Sequence, residues 1–115
     1  MNYTGTCHCG QVAFEVEGVL EQVMECNCTH CSRKGYLLWF VDRDKVQLKV
    51  PRENLATYTF NKHVIQHFFC PTCGCAPLGF GTDGKGAAKA AINARCLENV
   101  DLAPLKVIPV NGRSL

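Results

Sequence analysis

The stretch "HFFCPTCGC", residues 67–75, decides how the rest of the chain is read. Cys70 and Cys73 stand three positions apart, a spacing at which two thiolates reach one ion about 2.3 Å away. Gly74 follows at once, and glycine takes the positive φ that turns a backbone beneath a metal. Such a knuckle supplies two ligands of a tetrahedral set and needs two more. The complement lies near the start of the chain, in "CHCG", where Cys7 and Cys9 otherwise have no partners. The spacing therefore predicts a closed four-thiolate zinc site on Cys7, Cys9, Cys70 and Cys73. It would tie the first residues to the middle of the chain and contribute directly to folding stability.

A second cluster, "CNCTHC" at 26–31, holds Cys26, Cys28 and Cys31. Three protein ligands with one exchangeable position is the arrangement of a catalytic zinc. A fourth protein ligand would make it a second structural site instead. Spacing leaves both readings open, with Cys75, Cys96, His30, His63 and His67 as candidates for the fourth place. Cys75 reads as a small strand residue and Cys96 as a buried thiol. His30 lies inside the loop and is expected to point away from an ion held by its neighbours.

The totals favour metal over disulfides. Nine cysteines in 115 residues is an odd count, and C-x-C and C-x-x-C pairs bridge poorly among themselves. The start, "MNYTGTCHCG", lacks a basic segment followed by an apolar one. The expectation is a cytoplasmic protein whose thiols stay reduced. The apolar run "YLLWFV" at 36–41 is too short to cross a bilayer, so no membrane partner is expected. A net charge of +2 without a long basic block argues against nucleic acid.

Between the clusters the pattern is short and alternating, without a linker, which predicts one mostly-β domain over 1–115 with few short helical turns. In "QVAFEVEG", Val12, Phe14 and Val16 share one face and Gly18 ends the strand. "LEQVMEC" (20–26) is a candidate partner for it. "YLLWFV" reads as a more buried strand, and "KVQLKV" (45–50) alternates again. "LATYTF" (55–60) and "HVIQHFF" (63–69) suggest a hairpin about Asn61 and Lys62, with His63, Ile65 and His67 on one face. "APLGFG" (76–81) enters the turn "GTDGKG". "PLKVIPV" (104–110), with a proline near each end, suits an edge strand. "GAAKAAINARCL" favours helix by propensity, but its β surroundings predict a strand. Helical turns are expected at "CTHCSRKG" and near "RENL" or "LENV".

Taken in order, "GTCHCGQVAFEV", "CNCTHCSRKG", "HFFCPTCGC" and "INARCLENVDL" resemble the glutathione-dependent formaldehyde-activating enzymes, a family grouped with the centromere protein V domain. The likeness runs from about Gly5 to Leu115. It implies a small Mss4-like β domain with two zinc ions: a structural one on Cys7, Cys9, Cys70 and Cys73, and a catalytic one on Cys26, Cys28 and Cys31. Cys75 departs from the pattern, which expects threonine or another small residue. The resemblance implies a carbon–sulfur lyase-type activity that joins glutathione, or a similar thiol, to formaldehyde or a related small carbonyl. Arg33 and Lys34 are the first candidates to grip the thiol's carboxylates, with Arg95 and Lys62 behind them. Tyr36, Trp39 and Phe40 are candidates for a pocket wall. The rival expectation is a non-catalytic two-zinc β-scaffold that binds a protein partner, since fold alone does not fix function.

Overall fold

Alternation dictates where the second strand puts its side chains. Val12, Phe14 and Val16 are buried at 0–1% exposure, while Glu17 is exposed. In the computed structural model, which describes residues 1–114, ten strands are formed among those residues. They are β1 Asn2–Thr6, β2 Ala13–Glu17, β3 Gln22–Cys26, β4 Leu38–Asp42, β5 Val46–Leu48, β6 Ala56–Tyr58, β7 Gln66–Phe69, β8 Leu78–Thr82, β9 Ala88–Asn93 and β10 Lys106–Val110. One short helix, α1, covers Thr29–Lys34, and brief 3-10 turns cover Arg43–Lys45, Arg52–Asn54, Ala94–Cys96 and Gly112–Ser114. Leu115, the last position of the single domain expected from the sequence, lies outside the described residues. No helix among them is long and apolar enough to cross a membrane.

Two sheets result. A three-stranded antiparallel sheet has the order β1-β2-β5, and a seven-stranded one has the order β10-β3-β4-β9-β8-β7-β6. The core lies between them. Cross-strand partners share a face, so Trp39, Ile92, Leu78 and Phe68 form one inward row across β4, β9, β8 and β7. All four are at most 6% exposed. Phe14, Val16 and Val46 of the smaller sheet belong to the same apolar cluster. The Tyr3 ring meets Trp39 edge-on at 5.4 Å. Gly5 is required where it stands, because a Cβ there would overlap the Phe14 ring.

Several expected elements are realised with different limits or neighbours. The segment 20–26 does become a strand, but β3 pairs with β4 and, in parallel, with β10 rather than with β2. The hairpin of β6 and β7 exists, with Tyr58 opposite His67. Its turn is longer than the two residues foreseen, and Asn61 and His63 both adopt positive φ within it. His63 is therefore an exposed loop residue whose Nδ1 lies 2.8 Å from Thr59 Oγ1, not a strand residue beside His67. The alanine-rich segment is β9, paired on both sides. Ala90 and Ile92 are fully buried, and that packing overrides helix propensity. β10 closes one edge, where the missing N–H of Pro109 is tolerated. Helical turns form at α1 and, of the two alternatives for the other, at Arg52–Asn54, with a further one at Ala94–Cys96 just before "LENV".

Replacing Phe14 with alanine should cost about 3–5 kcal/mol, because its ring sits in a packed core between the sheets. Urea denaturation of the metal-loaded protein measures this, and a loss below about 1 kcal/mol would contradict the packing described.

Candidate metal centres and their cavities

The loop after β1 and the knuckle after β7 meet at four thiols. The Sγ atoms of Cys7, Cys9, Cys70 and Cys73 all lie within 4.8 Å of one another. Cys7 and Cys9 are 3.7 Å apart and Cys9 and Cys70 are 3.6 Å apart. A tetrahedron with metal–sulfur bonds of about 2.3 Å has edges of about 3.8 Å. A disulfide would need about 2.05 Å. The set therefore fits an ion such as zinc and does not fit a bridge. Backbone N–H groups point at the same sulfurs: Val12 donates to Cys7 Sγ at 3.3 Å and Cys73 to Cys70 Sγ at 3.4 Å. At Cys70, burial is outweighed by such donors, which hold the thiol below its ordinary value, toward the thiolate form that metal binding needs. Gly74 has φ +82, as the knuckle requires, and its N–H bonds the Cys70 carbonyl at 2.8 Å.

Cys26, Cys28 and Cys31 form the second group, also with mutual separations within 4.8 Å. The end of β3 carries Cys26, and α1 carries the rest. Cys28 is the N-cap of α1, its sulfur accepting the Cys31 N–H at 3.2 Å, and Cys26 Sγ accepts the Cys28 N–H at 3.5 Å. Gly35 ends the helix in the left-handed conformation and bonds back to the Cys31 carbonyl. Among the described residues, no fourth cysteine, histidine or carboxylate joins this group. Cys75 and Cys96 belong to neither group. The Cys75 carbonyl accepts the Cys70 N–H, and burial pushes the Cys96 thiol up to about 11. Three thiolates and one divalent ion would carry a net charge of about −1, with one coordination position free.

Three cavities lie beside the triplet, one of them, of about 410 Å³, lined by Glu25, Cys26, Asn27 and Cys31 among others. His30 does turn away from the sulfurs. Its ring packs among Tyr36, Tyr58, Phe60 and His67 at centroid distances of 4.5–5.7 Å, and its buried Nδ1 has no hydrogen-bond partner. Burial, with smaller contributions from His30 and Lys34, pushes His67 down to about 4, so this imidazole is neutral at pH 7. A cavity of about 480 Å³ is lined by His30, Arg33, Lys34, Tyr36, Tyr58 and His67 among others. A second, of about 450 Å³, is lined by all three cysteines and shares Tyr36 and His67 with the first.

Of the residues expected to line a pocket, Tyr36 and Phe40 do so and Trp39 does not. Trp39 is 6% exposed and faces the core, while its neighbour Phe40 is 49% exposed on the opposite face. Of the expected cations, Arg33 and Lys34 line the first cavity; Arg33 also bonds the Thr29 carbonyl at 3.0 Å, and Lys34 Nζ lies 5.5 Å from the Phe69 ring. Arg95 is turned onto the Gly35 carbonyl, and Lys62 is exposed in the β6–β7 loop. Sequence reasoning missed Asn27. It anchors the C-terminal segment to the triplet loop through the Val110 carbonyl, the Asn111 side chain and two donors of Arg113. Gly112 passes so close that a Cβ there would overlap Cys26 Sγ. The "NGR" at 111–113 was the available signal, but nothing local links it to residue 27.

Comparison with known proteins adds two findings. The family model described as glutathione-dependent formaldehyde-activating enzyme matches residues 2–109. Among solved structures, the crystal structure of a Rhodobacter sphaeroides protein is similar to this chain at 28% identity with a TM-score of 0.78. The match covers 90% of this chain and 98% of that one.

The neutral His67 gives stability a pH dependence of known sign. Between about pH 6.5, the ordinary histidine value, and about pH 4, the unfolded chain holds a proton that the folded one does not. Stability is therefore complete above pH 6.5 and falls as the pH drops through this window. The ring is only half-buried, so the loss is on the order of 1 kcal/mol. Comparing urea midpoints at pH 7.5 and 5 for the protein and His67→Gln isolates it, since metal loss in acid affects both alike. The variant should lose less stability, and identical losses would contradict the assignment.

Proposed function

The chain belongs to the glutathione-dependent formaldehyde-activating enzyme family, and on that premise we propose that it is a zinc-dependent carbon–sulfur lyase-type enzyme. It adds glutathione, or a similar small thiol, to formaldehyde or a related small carbonyl, giving an S-hydroxymethyl adduct. The observation that carries this reading is the incomplete triplet. Cys26, Cys28 and Cys31 converge, no fourth ligand joins them among the described residues, and all three face a cavity large enough for a substrate. The closed set of Cys7, Cys9, Cys70 and Cys73 is assigned the structural zinc.

Zinc at the triplet would lower the pKa of an incoming thiol while the surrounding thiolates keep it nucleophilic. The protein's own groups account for the rest. The Cys28 and Cys31 N–H groups donate to the Cys26 and Cys28 sulfurs and fix the loop's geometry, and against burial these and neighbouring hydrogen bonds hold the Cys28 thiol below its ordinary value. Tyr36 and His67 stand where these two cavities meet, between the triplet and the cationic side chains. Arg33 and Lys34, in the adjoining cavity, supply the charge that glutathione's carboxylates need. In the addition, the sulfur–carbon bond forms as the carbonyl π bond breaks. The thiol proton leaves to solvent and the former carbonyl oxygen takes one back. Nine free cysteines suit a reducing compartment, and the cytoplasm is the setting we assign.

Replacing Cys28 with serine tests the assignment. Zinc content should fall from two ions per chain to one, and adduct formation should slow about 100-fold or more, toward the uncatalysed rate. Full acceleration with the second zinc gone sinks the catalytic reading. A wild-type protein that holds both ions and gives no acceleration supports the rival, a scaffold for a protein partner.

A further inference from the structure

The outer face of the seven-stranded sheet is concave for a reason legible in its registers. Across β4, β9, β8, β7 and β6 the row opposite the core runs Phe40, Ala91, Gly79, His67 and Tyr58. The next row places Lys89 beside Gly81. Ala91, Gly79 and Gly81 leave the middle of the face almost without side chains. Larger apolar groups stand around this floor: Met24, Leu38, Phe40, Phe60 and Ile65. The hollow is the cavity of about 450 Å³ that ends at Cys26, Cys28 and Cys31.

Volume and charge both say what the hollow takes. Formaldehyde has two heavy atoms and needs roughly twice the ~30 Å³ share of a liquid water, a small part of this space. The one lysine or arginine lining the hollow among the described residues, Lys89, is already paired with Asp42. Asp83 at the rim accepts the backbone N–H groups of Lys85 and Ala87. No free charge is left for a carboxylate, and burying one unpaired is costly. The cationic cavity holding Arg33 and Lys34 suits the thiol's carboxylates instead. An apolar hollow ending at a few polar groups is the usual form of a small-molecule site.

We infer that this hollow binds the hydrocarbon tail of an aldehyde, alkyl or aryl, of on the order of six to nine carbons, so that an apolar aldehyde is the preferred carbonyl substrate. The inference rests on the thiol-addition reading above and deepens it. The reaction is unchanged in balance: the thiolate sulfur bonds the aldehyde carbon, the carbonyl oxygen takes a proton, and a hemithioacetal results.

Two measurements on the zinc-loaded chain test it. In the first, kcat/KM with glutathione is compared across formaldehyde, pentanal, hexanal and heptanal. It should rise about fourfold per added methylene within the alkyl series and exceed the formaldehyde value at least tenfold for heptanal. In the second, 1-heptanol, which cannot react, is titrated while backbone resonances are followed. Saturable shifts should cluster at Phe40, Gly79, Gly81 and Ala91, and Ala91→Phe should weaken them at least tenfold. A preference for formaldehyde, or no saturable shift in the wild-type protein, overturns the inference. So does a stable dimer in solution whose interface covers Phe40. If heptanol binds the hollow and no aldehyde is turned over, the thiol-addition reading fails while the apolar site stands.

Discussion

Everything else in the molecule depends on four sulfurs being brought together from two distant parts of the chain. Cys7 and Cys70 are at most 2% exposed and belong to the apolar core. The hydrogen bonds Cys7 N–H to Val12 carbonyl and Cys70 N–H to Cys75 carbonyl close the two loops that present them. The small sheet is thereby fastened to the β7–β8 side of the large one. A domain of this size buries only about two-thirds of its unfolded surface, so a metal held by these thiols would supply folding free energy that a core this small lacks. Cys26, Cys28 and Cys31 form a separate group.

The large sheet has two uses for its two faces. One carries Trp39, Ile92, Leu78 and Phe68 against the smaller sheet and fixes the fold. The other carries Phe40, Ala91 and Gly79 beside the triplet and shapes the hollow. A single strand, β4, sends Trp39 one way and Phe40 the other, so the core and the wall of the hollow are set by adjacent residues. The C-terminal segment completes the site from the far side, where Asn27 holds it and Gly112 leaves room for Cys26.

Much of this was legible in the sequence where the signal is local. Period-two alternation located β2 and β5, the prolines of 104–110 marked β10 as an edge strand, cysteine spacing grouped the thiols, and Gly74 marked its own positive φ. The outcome for β9 was legible only by context, because alanine's helix preference is weaker than burial of Ala90 and Ile92 between two strands. What was not legible depends on long-range pairing. The parallel union of β3 with β10 joins segments some eighty residues apart. His63 was assigned to the face of His67, but positive φ at Asn61 and His63 lengthened the turn. The hollow itself is written as an absence of side chains at Gly79, Gly81 and Ala91, and no periodicity announces which face such residues floor.

One measurement bears on the whole account: zinc per chain before and after a brief exposure to dilute chelator, with the fold followed by circular dichroism. One closed and one open site predict two ions at the start, one lost quickly without unfolding, and the other released only as the sheets come apart. Two ions released together, or a single resistant ion from the outset, would contradict the division between a structural centre and an open one.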